Sequence, residues 1–168
     1  MKRFLVALQF LTILPVKIKS EIKEKDFGAS LLYFPIVGLL IGLLLSLGVL
    51  SFSFLPALVK SAMILILSIL ITGGIHLDGF ADTCDGFYGN KRVEKILEIM
   101  RDSRIGAIGV VALILLLLTK FLAINSLQAE IKNYILFLLP IMGRWSIIPM
   151  AYWADYARPT SGLGRAFT

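Results

Sequence analysis

One cysteine, one histidine and few charges are what this 168-residue chain has least of. With Cys84 alone, no disulfide can close within the chain. With His76 alone and no cysteine pair, the usual histidine and thiolate set for zinc is missing. Charged residues make up 17% of the chain, against about a quarter in an ordinary soluble domain, while 58% are hydrophobic and the mean hydropathy is +0.87. The apolar residues fall in uninterrupted runs rather than at the periods that bury one face of a helix or strand, so lipid is the expected solvent. Acids are outnumbered by bases, 11 to 17, giving a formal charge of +6 and a pI near 9.6. The bases are spread over the connections between apolar runs and no nucleic-acid-binding fold is legible. The bias therefore reads as membrane orientation, with no nucleic acid as partner.

The expected fold class is all-α, a polytopic bundle with about four spans. They run from about Ser30 to Leu55, Ala57 to Ile75, Ile105 to Ile124 and Tyr134 to Ala154, each near the roughly 20 residues that cross a bilayer. Gly38 and Gly42 have the four-residue spacing that lets helices approach closely, a weak signal for a specific dimer that leaves a homo-oligomer open. Residues 1–14 carry Lys2 and Arg3 ahead of an apolar stretch. Pro15, Val16 and Lys17 stand where a signal peptide would have small residues, so a retained interfacial or partly inserted helix is expected. The whole of 1–168 reads as one integral membrane domain, with an aspartate-rich loop over 73–104 and a tail loop over 155–168. No internal repeat or low-complexity linker is present.

Lysine and arginine accumulate on the side that is not translocated. Placing the N-terminus in the cytoplasm puts thirteen of the seventeen bases there, including Lys91, Arg92, Lys95, Arg101, Arg104, Arg158 and Arg165; Lys60, Lys120 and Lys132 fall on the other side. The expected location is the cytoplasmic membrane, multi-pass, with the 73–104 loop inside. Arg144 alone falls within a span.

That loop holds the strongest chemical signal. From His76 to Asn90 it reads His-Leu-Asp-Gly-Phe-Ala-Asp-Thr-Cys-Asp-Gly-Phe-Tyr-Gly-Asn, with no lysine or arginine, and Gly86, Gly89 and Asn90 are expected to break any helix. At 3.6 residues per turn, Asp78, Asp82 and Asp85 fall within an arc of roughly 60°. Three like charges on one face destabilise a helix, and a bound cation is the natural counter-charge. Hard oxygen ligands point to Mg²⁺ or Mn²⁺, which can clamp a diphosphate. Solvation of a loop is the plainer use of such residues. His76 is either an interfacial hydrogen-bonding residue or a general base, and Cys84 is expected to fill space.

A short amphipathic helix follows, with Val93, Ile96, Leu97 and Met100 on one stripe. It leads into Arg101-Asp102-Ser103-Arg104-Ile105-Gly106, where Asp102 or Ser103 either caps the next helix or, for Asp102, completes a metal cage while Arg101 and Arg104 grip phosphate. Pro140, Gly143 and Pro149 around Arg144 suggest a broken helix lining a polar cavity, in which an anion or Asp155 neutralises the guanidinium. The tail from Tyr156 to Phe167, with Arg158 and Arg165 among glycines, reads as a phosphate-binding loop or a solvated tail.

Taken together, residues 76–86, Leu97 to Gly106, Gly143-Arg144-Trp145 and Tyr156-Ala157-Arg158-Pro159 with Gly162-Leu163-Gly164 resemble the adenosylcobinamide-GDP ribazoletransferase, or cobalamin synthase, family. Ala7 to Thr12 and Leu14-Pro15-Val16 are similar too, so the resemblance covers nearly the whole chain. It implies a Mg²⁺-dependent enzyme that joins adenosylcobinamide-GDP to α-ribazole, or its 5′-phosphate, with release of GMP. Members of that family continue with further membrane segments, so the chain is expected to be a C-terminally truncated member. In that reaction Asp78, Asp82, Asp85 and Asp102 would hold metal and Arg101, Arg104, Arg144 and Arg158 phosphate. His76, Asp82 or Asp85 would serve in catalysis as the base.

Three other readings stay in view. CDP-alcohol phosphotransferases also set aspartates and glycines at a membrane surface, but place an Ala-Arg pair where this chain has Ala81-Asp82. Membrane prenyltransferases use two aspartate-rich motifs, and one is seen here. A transporter or channel would use the carboxylates as a cation site and Arg144 as a gate.

Overall fold

The structure, a computed structural model, describes residues 1–157 and 163–167, whose regular elements are helices with no strand among them. In chain order the helices are α1 (Lys2–Leu11), α2 (Glu24–Ser30), α3 (Phe34–Ser51), α4 (Ala57–Thr72), α5 (Ile75–Phe87), α6 (Val93–Ile99), α7 (Ala107–Ser126), α8 (Ala129–Trp145) and α9 (Ile147–Trp153). Short 3₁₀ turns cover Leu31–Tyr33 and Leu163–Phe167. Three helical runs, Glu24–Ser51, Ala107–Ser126 and Ala129–Trp153, are long and apolar enough to cross a membrane. A fourth is reached when α4 and α5 count as one broken span. With 16 residues α4 reaches only about 24 Å. Three aspartates make α5 too polar to share that interior, so we read α4 as the apolar part and α5 as outside it.

The residues form two compact units, Met1–Gly73 with Leu127–Thr168, and Gly74–Ser126. In the first, α1 buries Val6, Ala7 and Leu11, and is tied to α2 by Lys2 Nζ, 2.6 Å from Asp26 Oδ2. The expected interfacial helix is thus packed on protein along one face. Its continuation is held by Ile13 N–H, which donates to Ile71 O at 3.0 Å. Phe10, Phe27 and Phe34 surround Phe167, with ring centres 5.2 to 6.0 Å apart, so this part of the tail is docked rather than solvated.

Gly38 and Gly42 serve contact within the chain. A Cβ on Gly38 would stand 2.8 Å from Ile141 Cα, and one on Gly42 would stand 3.0 Å from the Phe137 carbonyl carbon. These glycines let α3 lie against α8 at backbone distance, the packing that replaces hydrophobic driving force in lipid. Val37, Ile41, Leu45, Leu136 and Pro140 are buried beside them.

Several boundaries differ from the sequence expectation. The first helical run starts at Glu24 and ends at Ser51, because Pro56 caps α4 and the chain must turn before it. The second span stops at Thr72, where Gly73 and Gly74 adopt φ of 64° and 70°, left-handed values that glycine takes without steric cost. The broken helix expected around Arg144 is present, its interruption falling at Ser146 between Gly143 and Pro149, while Pro140 itself lies inside α8.

In the second unit, α5, α6 and α7 pack with Ala81, Gly86 and Gly109 buried. Gly86 does not break the helix as expected. It sits inside α5, and a Cβ there would come 3.1 Å from Ile96 Cγ2 and 3.2 Å from Met100 Cγ, so its smallness seats α6. The break falls at Gly89 and Asn90, with φ of 89° and 49°.

Candidate active site

The second unit assembles most of the residues singled out in the sequence. Gly74 opens α5, its carbonyl accepting from the N–H groups of Leu77 at 2.8 Å and Asp78 at 3.1 Å. The helix then runs through all three aspartates, as their spacing requires for a shared face. Two adjoining clefts, of about 240 and 350 Å³, share Asp82 and Asp102 as walls. Asp78, Arg101 and Ser103 complete one, and Asp85, Lys91 and Arg104 the other.

The three aspartates of α5 differ in their surroundings. Burial, reinforced by the charges of Asp78 and Asp85, pushes the Asp82 carboxyl above the usual carboxylate range. Asp78 is exposed at the mouth of its cleft. Asp85 turns both oxygens to the start of α7, Oδ2 accepting from Gly106 N–H and Oδ1 from Gly109 N–H, each at 2.8 Å. Lys91 Nζ, just past the helix end, donates to the backbone carbonyls of Tyr88 and, at 3.2 Å, Asp85. It satisfies terminal carbonyls of α5 rather than the carboxylates.

Asp102 does not cap α7 as one reading of the sequence expected. Its Oδ1 accepts from Arg104 N–H at 3.0 Å, and its two oxygens face the Arg104 guanidinium, with Oδ2 2.8 Å from Nη2. Hydrogen bonds from Arg104 hold its pKa down to about 2, and the arginine is raised in turn. This fork is exposed, with Arg104 at 87% side-chain accessibility, so it orients the loop more than it stabilises the fold.

His76 is exposed in the first turn of α5, and two residues before Asp78 means a rotation of about 200° away from that aspartate. Arg144 belongs to the first unit, on α8. Its Nε is buried without a hydrogen-bond partner, and no acid among the described residues, Asp155 included, pairs with it. Arg158 lies outside the described residues. Residue type alone does not mark Gly106 and Gly109 as functional. The signal available was a glycine pair three apart at the start of an apolar helix.

Among the described residues, no three histidine, cysteine, aspartate or glutamate side chains converge into a ready ion cage. The donor chemistry nevertheless suits a hard divalent cation. Asp78, Asp82 and Asp102 are carboxylates on two adjoining clefts, and a cation would offset both the burial and the neighbouring charges that raise Asp82.

A family model described as cobalamin-5-phosphate synthase matches residues 3–168. The chain belongs to that family. It is similar to proteins named adenosylcobinamide-GDP ribazoletransferase from Clostridium acetobutylicum (37% identity), Thermoanaerobacter sp. (40%) and Alkaliphilus metalliredigens (41%). These alignments cover 97 to 99% of this chain and 66% of each relative, so the chain spans about two thirds of the length of the family members it matches. No solved structure matches it. Family membership extends over both units, including the Asp78–Asp102 clefts and Arg144.

Proposed function

We propose that this chain forms part of an enzyme that joins adenosylcobinamide-GDP to α-ribazole, or to α-ribazole 5′-phosphate, releasing GMP. The observation that supports this most directly is the pair of clefts sharing Asp82 and Asp102, flanked by Arg101 and Arg104, in a chain of the cobalamin-5-phosphate synthase family. Carboxylates beside exposed guanidinium groups suit a diphosphate accompanied by a divalent cation, Mg²⁺ or Mn²⁺. Asp78 and Asp82 would hold the cation, joined by Asp102 once the exposed Arg104 turned from it to a phosphate, and the cation when bound would neutralise the diphosphate and the departing phosphate. The clefts are assigned to the cytoplasmic side by the lysine and arginine distribution.

A ribose hydroxyl of the acceptor attacks the phosphorus attached to the aminopropanol arm of the donor. The new P–O bond forms as the bond between the two phosphorus groups breaks, and GMP leaves with the electron pair. Asp82 lines both clefts and is placed to accept the hydroxyl proton; His76 lies off the carboxylate face. Arg101 and Arg104 orient the phosphates and stabilise charge on the leaving group. Arg144, buried with an unsatisfied Nε in the first unit, is assigned to a further anionic group of the substrates.

Membranes holding the full-length protein, given adenosylcobinamide-GDP, α-ribazole and Mg²⁺, should release GMP in step with cobalamin, and chelation should stop both. Asp82→Asn should lower turnover by about two orders of magnitude or more, the scale of losing a main electrostatic contribution. Arg104→Lys should do less harm, keeping the charge but losing the fork. GMP release with alcohol acceptors of the CDP-alcohol type and never with α-ribazole would overturn the assignment. Absence of any donor reaction in folded protein would leave the transport reading.

A further inference from the structure

Every helix begins with N–H groups that have no partner of their own. In α7 the bond from Val110 N–H to Gly106 O, 3.1 Å, makes Gly106 the cap position, and glycine has no side chain to offer. The acceptor comes from α5 instead. Asp85 takes Gly106 N–H on one oxygen and Gly109 N–H on the other. Both glycines are required for the approach: a Cβ on Gly106 would stand 2.7 Å from Asp85 Cγ, and one on Gly109 3.1 Å from both Asp85 Cγ and Ala81 O. A cation on those oxygens would face two N–H donors at the positive end of a helix dipole. The segment leading into Gly106 carries Asp102 and Arg104, closed on each other by the Arg104 N–H bond to Asp102.

We propose that Asp85 is a positioning residue and not a metal ligand: by capping α7 it sets where Asp102 and Arg104 stand relative to Asp78 and Asp82. The inference rests on the reaction proposed above for the chemistry it serves, but its geometry stands apart from that reaction. The test uses the 168-residue protein in lipid nanodiscs, with Mn²⁺ binding followed by paramagnetic resonance and amide exchange followed at ¹⁵N-labelled glycines. Asparagine keeps one acceptor oxygen, and so one of the two cap bonds, but is a poor ligand for a hard cation. Asp85→Asn should therefore keep Mn²⁺ affinity within about threefold, while Asp82→Asn weakens it about tenfold or more. Exchange at Gly109 should quicken about tenfold in Asp85→Ala, and less in Asp85→Asn, as a lost and a weakened cap require. In the full-length enzyme Asp85→Asn should raise the KM for adenosylcobinamide-GDP more than it lowers kcat, the reverse of losing a ligand to the cation. Loss of Mn²⁺ in Asp85→Asn equal to that in Asp82→Asn, or Gly109 exchange unmoved in Asp85→Ala, would overturn the proposal. A parent protein that took up no Mn²⁺ would instead remove the metal from the proposed function and leave the exchange result to decide Asp85.

Discussion

Replacing Gly42 by alanine should loosen the first unit, and the size of the effect follows from the backbone contact of α3 with α8. The added methyl would stand 3.0 Å from the Phe137 carbonyl carbon and 3.2 Å from its Cα. The methyl would press closer still on the Phe137 carbonyl oxygen, and since carbon atoms rest at about 3.5–4.0 Å the two helices must part by roughly 1 Å. A gap of that size forfeits about a quarter to a half of the dispersion attraction along the seam, which includes the buried Val37, Ile41, Leu45 and Leu136. Overpacking of this kind costs about 1–3 kcal/mol, offset by about 0.5–1 kcal/mol because alanine is the better helix former. Gly143→Ala on α8 is the matched control, since a Cβ there meets nothing within 4 Å and only the propensity gain remains. Equilibrium unfolding of both variants in the same micelles should therefore separate them by about 1–3 kcal/mol, Gly42→Ala being the weaker. Equal stability would show that the glycines do not set the helix separation.

The raised pKa of Asp82 predicts opposite pH responses for metal-free and metal-bound protein. Its ionised form is disfavoured in the fold, so metal-free stability should increase as pH falls from neutral through the raised value toward the ordinary 3.8, and Asp82→Asn should flatten that rise. Mn²⁺ affinity should decline over the same window, because proton and cation compete for one carboxylate. Thermal unfolding with and without Mn²⁺ reads both, and a pH slope in Asp82→Asn identical to the parent would place the effect elsewhere. Orientation is tested by single cysteines introduced after Cys84 is replaced. Asn90→Cys and a cysteine after Arg158 should resist an impermeant reagent added outside cells, whereas Gln128→Cys should react; labelling of Asn90→Cys from outside would refute the cytoplasmic assignment of the clefts.

Much of this protein was legible in its sequence because the properties concerned are local. Helix and lipid follow from the length of apolar runs, and the shared face of Asp78, Asp82 and Asp85 follows from 3.6 residues per turn. Motif spacing was enough to point to the family that the chain belongs to. Other features depend on which residues meet, and for those the one-dimensional pattern was silent or misleading. Gly86 has the composition of a helix breaker, but α5 runs through it to Phe87, its small size seating Ile96 and Met100. The helix break expected around Arg144 is there, at Ser146, but only packing shows that Pro140 stays inside α8, buried where Gly38 approaches. Asp85 is identical in type and spacing to its neighbours on α5, and only the arrival of Gly106 and Gly109 distinguishes it. Side-chain periodicity is a property of one helix and can be read along the chain. Caps contributed by a different helix, and glycines chosen for close approach, are properties of a pair that tertiary structure alone brings together.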